Sequence, residues 1–196
     1  MLHLSNITNS IFTSKTYILS SEASDAVWLV DCGDFDKVEG VIGSKTIAGV
    51  LLSHAHFDHI YGLPELLEKY PGCRIYTNES GCVALGDARH NLSRYHETPI
   101  VVTPNHIYLC DEGDEIPLFE GVSARVFATP GHHPSCLCFQ VGDYLFSGDA
   151  YIPDVKVVTN LPGANKLQAQ ESVERILELA KGKVLCAGHV VGDRSE

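Results

Sequence analysis

Apolar and polar positions change over quickly along most of this chain, and hold a helical spacing in only a few places. Lys15–Leu19 and Ala26–Val30 ("AVWLV") read as strands, the second ending in the turn "DCGD". Phe35–Ile42 predicts a short helix and Ile47–Leu52 a third apolar strand. In "YGLPELLEKY", Leu63, Leu66, Leu67 and Tyr70 fall at helical spacing before "PGC" stops the run. Arg74–Tyr76 is a further strand, Glu79–Leu85 a helix, and "ARHNLSRYHETP" a polar loop. Short β-like runs follow at Ile100–Val102, Ile107–Leu109, Ala124–Ala128, Ser135–Gln140 and Tyr144–Phe146. One long helix is expected over Lys166–Lys181, with Leu167, Val173, Ile176, Leu177 and Ala180 as its apolar face, and "KVLCAG" is a last strand. Strand groups separated by lone helices predict an α/β layering: two sheets face to face, with helices outside.

Length changes this picture little. The 196 residues suit one domain spanning 1–196, and 44% hydrophobic with 20% charged residues is ordinary globular composition. The formal net charge of −11 speaks against nucleic acid as partner, because phosphate backbones need a basic footprint. The densest acidic piece, "CDEGDE" at Cys110–Glu115, reads as a solvated turn. "MLHLSNITNSIF" lacks the pattern of a secretory leader, and no apolar run is long enough to span a bilayer. Seven irregularly spaced cysteines without a CxxC pair favour reduced thiols and a cytoplasmic location. Cys136 and Cys138 are expected in the core, as is Trp28. Oligomeric state is left open.

The chemistry is concentrated in "LLSHAHFDHIYG". Directly after an apolar run come His54, His56, Asp58 and His59, interrupted only by Ala55 and Phe57. Imidazoles and a carboxylate on one buried strand face would be costly. In a loop just past a strand end they could converge on a metal: zinc, or iron or manganese. Three later pieces share one design, a β run, a glycine turn and one ligand-type residue. "VFATPGHHP" carries His132, "YLFSGDA" carries Asp149 and "VLCAGHV" carries His189. Glycine lets the backbone turn sharply at a strand end.

The ordered set HxHxDH, TPGH, SGD and AGH resembles the metallo-β-lactamase-fold hydrolases over nearly the whole chain, from about Tyr17 to His189. The resemblance implies an αββα sandwich with a two-metal site along one edge. It implies that His54, His56 and His132 hold one metal, that Asp58, His59 and His189 hold the other, and that Asp149 bridges them. Asp31, in "LVDCGD", matches the aspartate that orients the metal-binding loop. Two zinc ions per chain are the expected cofactor, with iron or manganese as alternatives. Two such cations about 3.5–4 Å apart can share a water and bring its pKa from about 15.7 to about 7. The hydroxide would attack the substrate, with Asp58 as catalytic orienter.

Within that family the bridging Asp149 speaks against antibiotic hydrolysis, since the β-lactamases proper lack this aspartate. His56 stands where the flavin-linked di-iron members have glutamate. The compact members remain: glyoxalase II-like thioesterases, lactonases, small esterases and phosphodiesterases. A small thioester is the first expectation. The alternative is a persulfide dioxygenase-like oxidoreductase, with one iron on His54, His132 and Asp149. "AYIPDVKVVTNLPGANK" departs from the usual glutathione-binding loop, and the helical domain that helps hold glutathione is not evident. In this segment Lys156, Asn160 and Lys166 could meet an anionic or amide-bearing substrate, or form a solvated loop into the helix. His133 stands where the family often has threonine, and is expected at the rim, within reach of substrate. Tyr95 and His96 sit in a polar loop that could fold over the site.

Overall fold

In the computed structural model, residues 1–102 and 104–190 are described. The first sheet contains, in spatial order, β1 (Leu2–Thr8), β2 (Lys15–Ser21), β3 (Ala26–Val30), β4 (Thr46–Leu51), β5 (Arg74–Thr77) and β6 (Ile107–Leu109). β1, β2 and β3 run antiparallel, and β3 to β6 run parallel. Parallel neighbours need crossovers. These are α1 (Phe35–Ile42), then α2 (Phe57–Ile60) with α3 (Leu63–Lys69), then α4 (Glu79–Leu85). The second sheet contains β7 (Glu115–Phe119), β8 (Val122–Ala128), β9 (Leu137–Val141), β10 (Tyr144–Gly148) and β11 (Val184–Ala187), in the order β11-β10-β9-β8-β7. Here only the β10–β11 pair is parallel, and its crossover is α5 (Lys166–Leu179).

Three apolar layers hold these elements. Between the sheets, Leu19, Trp28, Val30 and Leu51 of the first meet Val126, Leu137, Phe139 and Phe146 of the second. The neighbouring residues Ile18, Leu29 and Val50 face the other way, as pleating requires, and pack under α1, α3 and α4 with Phe35, Val38, Leu66 and Leu85. Outside the second sheet, Phe127, Cys138 and Leu145 take Ile176 of α5. Both faces of each sheet's central strands are therefore buried, giving the αββα sandwich. Two side chains also bond between sheets: Trp28 Nε1 donates to the Leu118 carbonyl at 2.9 Å, and Tyr17 Oη to that of Ala187 at 2.8 Å. Trp28, Cys136 and Cys138 lie in the core, and all seven cysteines are free thiols. No helix of the described residues is long and apolar enough to cross a membrane.

Some local expectations are corrected. Two strands were not anticipated. β1 ("LHLSNIT") is an edge strand buried fully only at Ile7, so its alternation is weak. β7 ("EIPLF") carries Pro117, which an edge strand tolerates. Ile100–Val102 is not a strand. Its apolar side chains Ile100 and Val102 are buried, but its backbone is held by Asn91 and Ser93 side chains and by Leu85. On α5, Leu167 and Leu177 are exposed, and the inward face is Ala169, Ser172 and Ile176. Close packing explains this: the loop at Gly131 lies directly on Ala169, and Ser172 donates to the Pro130 carbonyl at 2.7 Å.

Candidate metal centre

Loops leaving the strand ends build one cluster. β4 ends at Leu51, the chain opens into residues 52–56 carrying His54 and His56, and the single turn of α2 adds Asp58 and His59. His132 comes from the loop between β8 and β9. Asp149 directly follows β10, and His189 lies two residues past β11. Three groups form whose ligand-type atoms lie within 4.8 Å of one another: His54, His56 and His132; His54, His59 and Asp149; Asp58, His59 and His189. Asp149 joins the ends, with carboxylate oxygens 3.7 Å from His132 Nε2, 3.5 Å from His59 Nε2 and 3.2 Å from His189 Nε2.

The outward nitrogen of four of the five imidazoles is tied to an acceptor, which fixes the tautomer. Asp31 takes His59 Nδ1–H at 2.8 Å. Ser53 Oγ gives its only proton to Asp31 at 2.7 Å, so it accepts from His54 Nδ1–H at 3.1 Å. The Val158 carbonyl takes His132 Nδ1–H and the Phe12 carbonyl takes His189 Nδ1–H, each at 2.9 Å. Each of the four rings therefore directs Nε2 inward, ready to ligate once that nitrogen is free of a proton, the arrangement that metal-ligating histidines show. His56 faces inward by Nδ1, which lies 2.9 Å from His132 Nε2, a gap that a proton or a cation can bridge.

The cluster's chemistry fits divalent cations. His54 Nε2, His56 Nε2 and Asp149 Oδ1 are buried without a partner among the described residues. A buried acceptor without a donor is costly. For His54 Nε2 and Asp149 Oδ1, a cation removes that cost. Nitrogen with carboxylate oxygen suits zinc, iron and manganese alike.

Electrostatics divide the cluster in two. Burial and neighbouring imidazoles hold His54 well below its ordinary pKa and bring His56 to about 2, so this side is neutral. On the other side burial also opposes charge, but carboxylates win. Asp58, Asp149 and Asp31 raise His59 well above its usual range, and hydrogen bonds to Asp149 and Asp58 bring His189 to about 10. Burial would raise Asp58 and Asp149, yet His59 and His189 hold both low.

Two glycines allow the approach. A methyl group on Gly188 would overlap Asp149 Oδ1 and crowd the His59 ring. Gly148 has φ 51°, and its Cβ would run into Ser53.

Asp31 sits below the cluster, 2% exposed, also accepting from the Ser53 amide at 2.7 Å. Its φ is 61°, a left-handed conformation uncommon outside glycine. Beside the seven residues runs a cleft of about 300 Å³, walled by Phe12, Phe57, Leu92, Val158 and Leu161. His96 stacks on Phe57 at 3.7 Å and lines this cleft, whereas Tyr95 is exposed. Lys156 shares a hollow of about 30 Å³ with His132 and Asp149. Lys166 opens α5 and lines, with Lys156, a separate groove of about 250 Å³ that none of the seven residues borders. Asn160 is exposed. His133 is not a rim residue: it is 5% exposed, and burial with the nearby His132 lowers it to about 4.

Of the groups that orient the rings, Asp31 was expected from the sequence, and Ser53 and the Phe12 and Val158 carbonyls were not. Ser53 directly precedes His54, which is the signal that could have marked it. Ser14 Oγ donates to the Asp58 carbonyl at 2.7 Å from 44 residues away, and the Phe12 and Val158 carbonyls act through backbone alone. No side-chain pattern announces such contacts.

The comparisons agree with this construction. A hydroxyacylglutathione hydrolase of Marinomonas sp. (strain MWYL1) is 33% identical over 138 residues, covering 68% of this chain and 45% of its own. One of Hamiltonella defensa subsp. Acyrthosiphon pisum (strain 5AT) is 24% identical over 183 residues, 87% of this chain and 60% of its own. The chain thus spans about half the length of the curated relatives it matches. The crystal structure of BLEG-1 B3 metallo-beta-lactamase superposes with a TM-score of 0.84 at 23% identity, covering 96% of this chain and 92% of that one. TTHA1623 in a di-iron-bound form gives 0.81 at 24% identity, with 96% and 93% covered. The metallo-beta-lactamase superfamily pattern runs from residue 14 to residue 189, the stretch that contains all seven clustered side chains and Asp31, and the chain belongs to that superfamily.

Proposed function

We propose that this protein is a binuclear metal-dependent hydrolase of a small thioester. One observation carries the reading: the inward Nε2 atoms of His54, His59, His132 and His189, with His56 Nδ1 and the carboxylates of Asp58 and Asp149, meet at the head of one cleft. On this reading His54, His56 and His132 hold one cation, Asp58, His59 and His189 the other, and Asp149 lies between them. Divalent cations in such a site supply Lewis acidity, polarising an acyl carbonyl and bringing the pKa of water toward about 7.

The chain's own residues supply the rest. Asp58, 13% exposed, borders the cleft and is assigned to orient the attacking water. Phe12, Phe57, Leu92 and Leu161 exclude bulk solvent from the reacting carbonyl. Asp31 and Ser53 keep the His59 and His54 rings in one orientation. The curated relatives named hydroxyacylglutathione hydrolase support thioester over other acyl or phosphoryl substrates. Among the described residues the cleft lining includes no lysine or arginine, so the carboxylates of glutathione have no ammonium or guanidinium partner there; Lys156, beside His132 and Asp149, is assigned to an anionic group if the substrate carries one.

The test combines elemental analysis with an assay. Protein loaded with zinc should hold about two ions per chain and release free thiol from neutral thioesters. Dialysis against a chelator should stop the release and zinc should restore it. Fully loaded protein that cleaves phosphodiesters or lactones, and no thioester, would refute the substrate assignment. About one iron per chain with oxygen uptake would replace hydrolysis by the dioxygenase reading.

A further inference from the structure

A second hollow, of about 580 Å³, lies beside the metal cluster and takes no part in the reading above. Its walls are Val83 and Ala84 of α4, Pro134, and the turn at Pro162 and Gly163; Glu79, Ser80 and His90 also line it, and His133 completes it. Hydrogen bonds fix these walls in place. Asn78 caps α4 by accepting from Gly81 at 2.9 Å, and its Nδ2 also donates to the Pro134 carbonyl at 3.3 Å. On the opposite wall the Asn165 amide donates to the Gly131 carbonyl at 2.8 Å, holding the 162–165 turn against the loop that carries His132 and His133.

His133 joins Glu79, Ser80 and His90 as a polar residue of this groove, and its tautomer can be read. Nδ1 accepts the Ser135 amide at 3.2 Å, so it bears a lone pair. The Ser135 hydroxyl accepts from the Ala55 amide at 3.1 Å, so its proton goes to the same Nδ1 at 2.6 Å. The ring proton is therefore on Nε2, a hydrogen-bond donor with no partner among the described residues. The ring lies 4.7 Å from that of His56, edge to face, so this imidazole stands next to the metal-facing histidines.

Among the described residues the lining has one carboxylate, Glu79, and no lysine or arginine. An anionic group would meet repulsion there, whereas an apolar chain would find Val83, Ala84, Pro134 and Pro162. Val83 is a large apolar side chain left 57% exposed, which an apolar occupant would cover. We propose that this groove is the acyl subsite, taking an uncharged acyl chain whose oxygen accepts a hydrogen bond from His133 Nε2–H. The assignment rests on the thioesterase reading and names the side of the substrate that confers selectivity.

Two probes test it. In zinc-loaded protein, kcat/KM is measured for acetyl- and octanoyl-N-acetylcysteamine, and octanamide binding is measured by calorimetry. Val83→Trp fills the groove from the surface of α4, away from the metal cluster; His133→Phe keeps a ring and removes the donor. Val83→Trp should lower the octanoyl-to-acetyl ratio of kcat/KM about tenfold and weaken octanamide as much; His133→Phe should weaken octanamide with zinc content unchanged. If His133→Phe fails to fold, Val83→Trp alone decides. An unchanged ratio and unchanged octanamide affinity in Val83→Trp overturn the proposal. Absence of all thioester turnover, with octanamide binding still lost in Val83→Trp, supports the groove and removes the thioester.

Discussion

The two halves of the cluster are built from opposite materials. His54, His56 and His132 form a neutral pocket in which burial depresses every imidazole. Asp58, His59 and His189 form an acidic one in which carboxylates draw protons onto two imidazoles. A cation entering the first finds lone pairs ready, while one entering the second must expel protons. Position in the chain differs too. The first half lies within residues 54–132, whereas the second needs His189, held by Phe12 from 177 residues away. Two sites that share Asp149 should therefore differ in affinity, pH response and order of filling.

The largest effects should come from the shared residue. Asp149→Ala removes the carboxylate common to both halves, and bound zinc should fall from about two to less than about one per chain, with hydrolysis at background. Asp58→Ala touches the acidic half alone and should leave about one ion per chain while also abolishing turnover. Elemental analysis of the pair separates the halves; equal metal content in both variants would erase the distinction.

Gly188→Ala comes next. Its methyl would displace Asp149 Oδ1 and press on His59, so the acidic half should lose most of its metal while the three-histidine half keeps its own. Asp31→Asn should act more mildly, by about 10- to 100-fold in zinc affinity, and excess zinc should restore activity. Because Asp31 supports His59 directly and His54 through Ser53, both halves should weaken. Loss confined to one would show that the Ser53 link carries nothing.

The smallest effect concerns pH. In chelator-treated protein, His189 has its pKa raised from 6.5 to about 10, so its ion pairs stabilise the folded chain fully below pH 6.5. That contribution should fade as pH rises through about 10, lowering the melting temperature. With zinc bound the trend should reverse between acid and neutral pH, since protons compete with the metal for the same nitrogen. A melting temperature of the metal-free protein that does not fall over this range would show that His189 is not held by the carboxylates.

Much of this was legible because strands and glycine turns repeat one local design. β4, β8, β10 and β11 each end just before a residue that turns into the cluster, and Gly131, Gly148 and Gly188 mark three of the exits. The convergence of the seven residues follows from those exits sharing one edge. What escaped depends on distance in sequence or on weak periodicity. β1 hides behind half-exposed alternation, and β7 behind Pro117. Leu167 and Leu177 mislead because α5 meets its sheet and loops through small residues. His133 looked peripheral beside Pro134, and only Ser135 with Ala55 shows why it is buried and which nitrogen keeps the proton. Phe12, a single apolar residue in a turn, gives no hint that its carbonyl steadies His189.

That last contact acts as a clasp. The turn after β1 meets the segment after β11 through Lys15 N to Gly188 O, Val190 N to Thr13 O, and His189 Nδ1 to Phe12 O. Closing so long a loop is entropically slow and comes late. During synthesis the three-histidine half can assemble once residue 158, whose carbonyl holds His132, has left the ribosome, while the acidic half must wait for residue 189. A second cation should then work as a lock on a finished fold, drawing the two ends together and slowing their separation. Metal-free protein should open first at this seam, and hydrogen exchange at Lys15 and Val190 would report it.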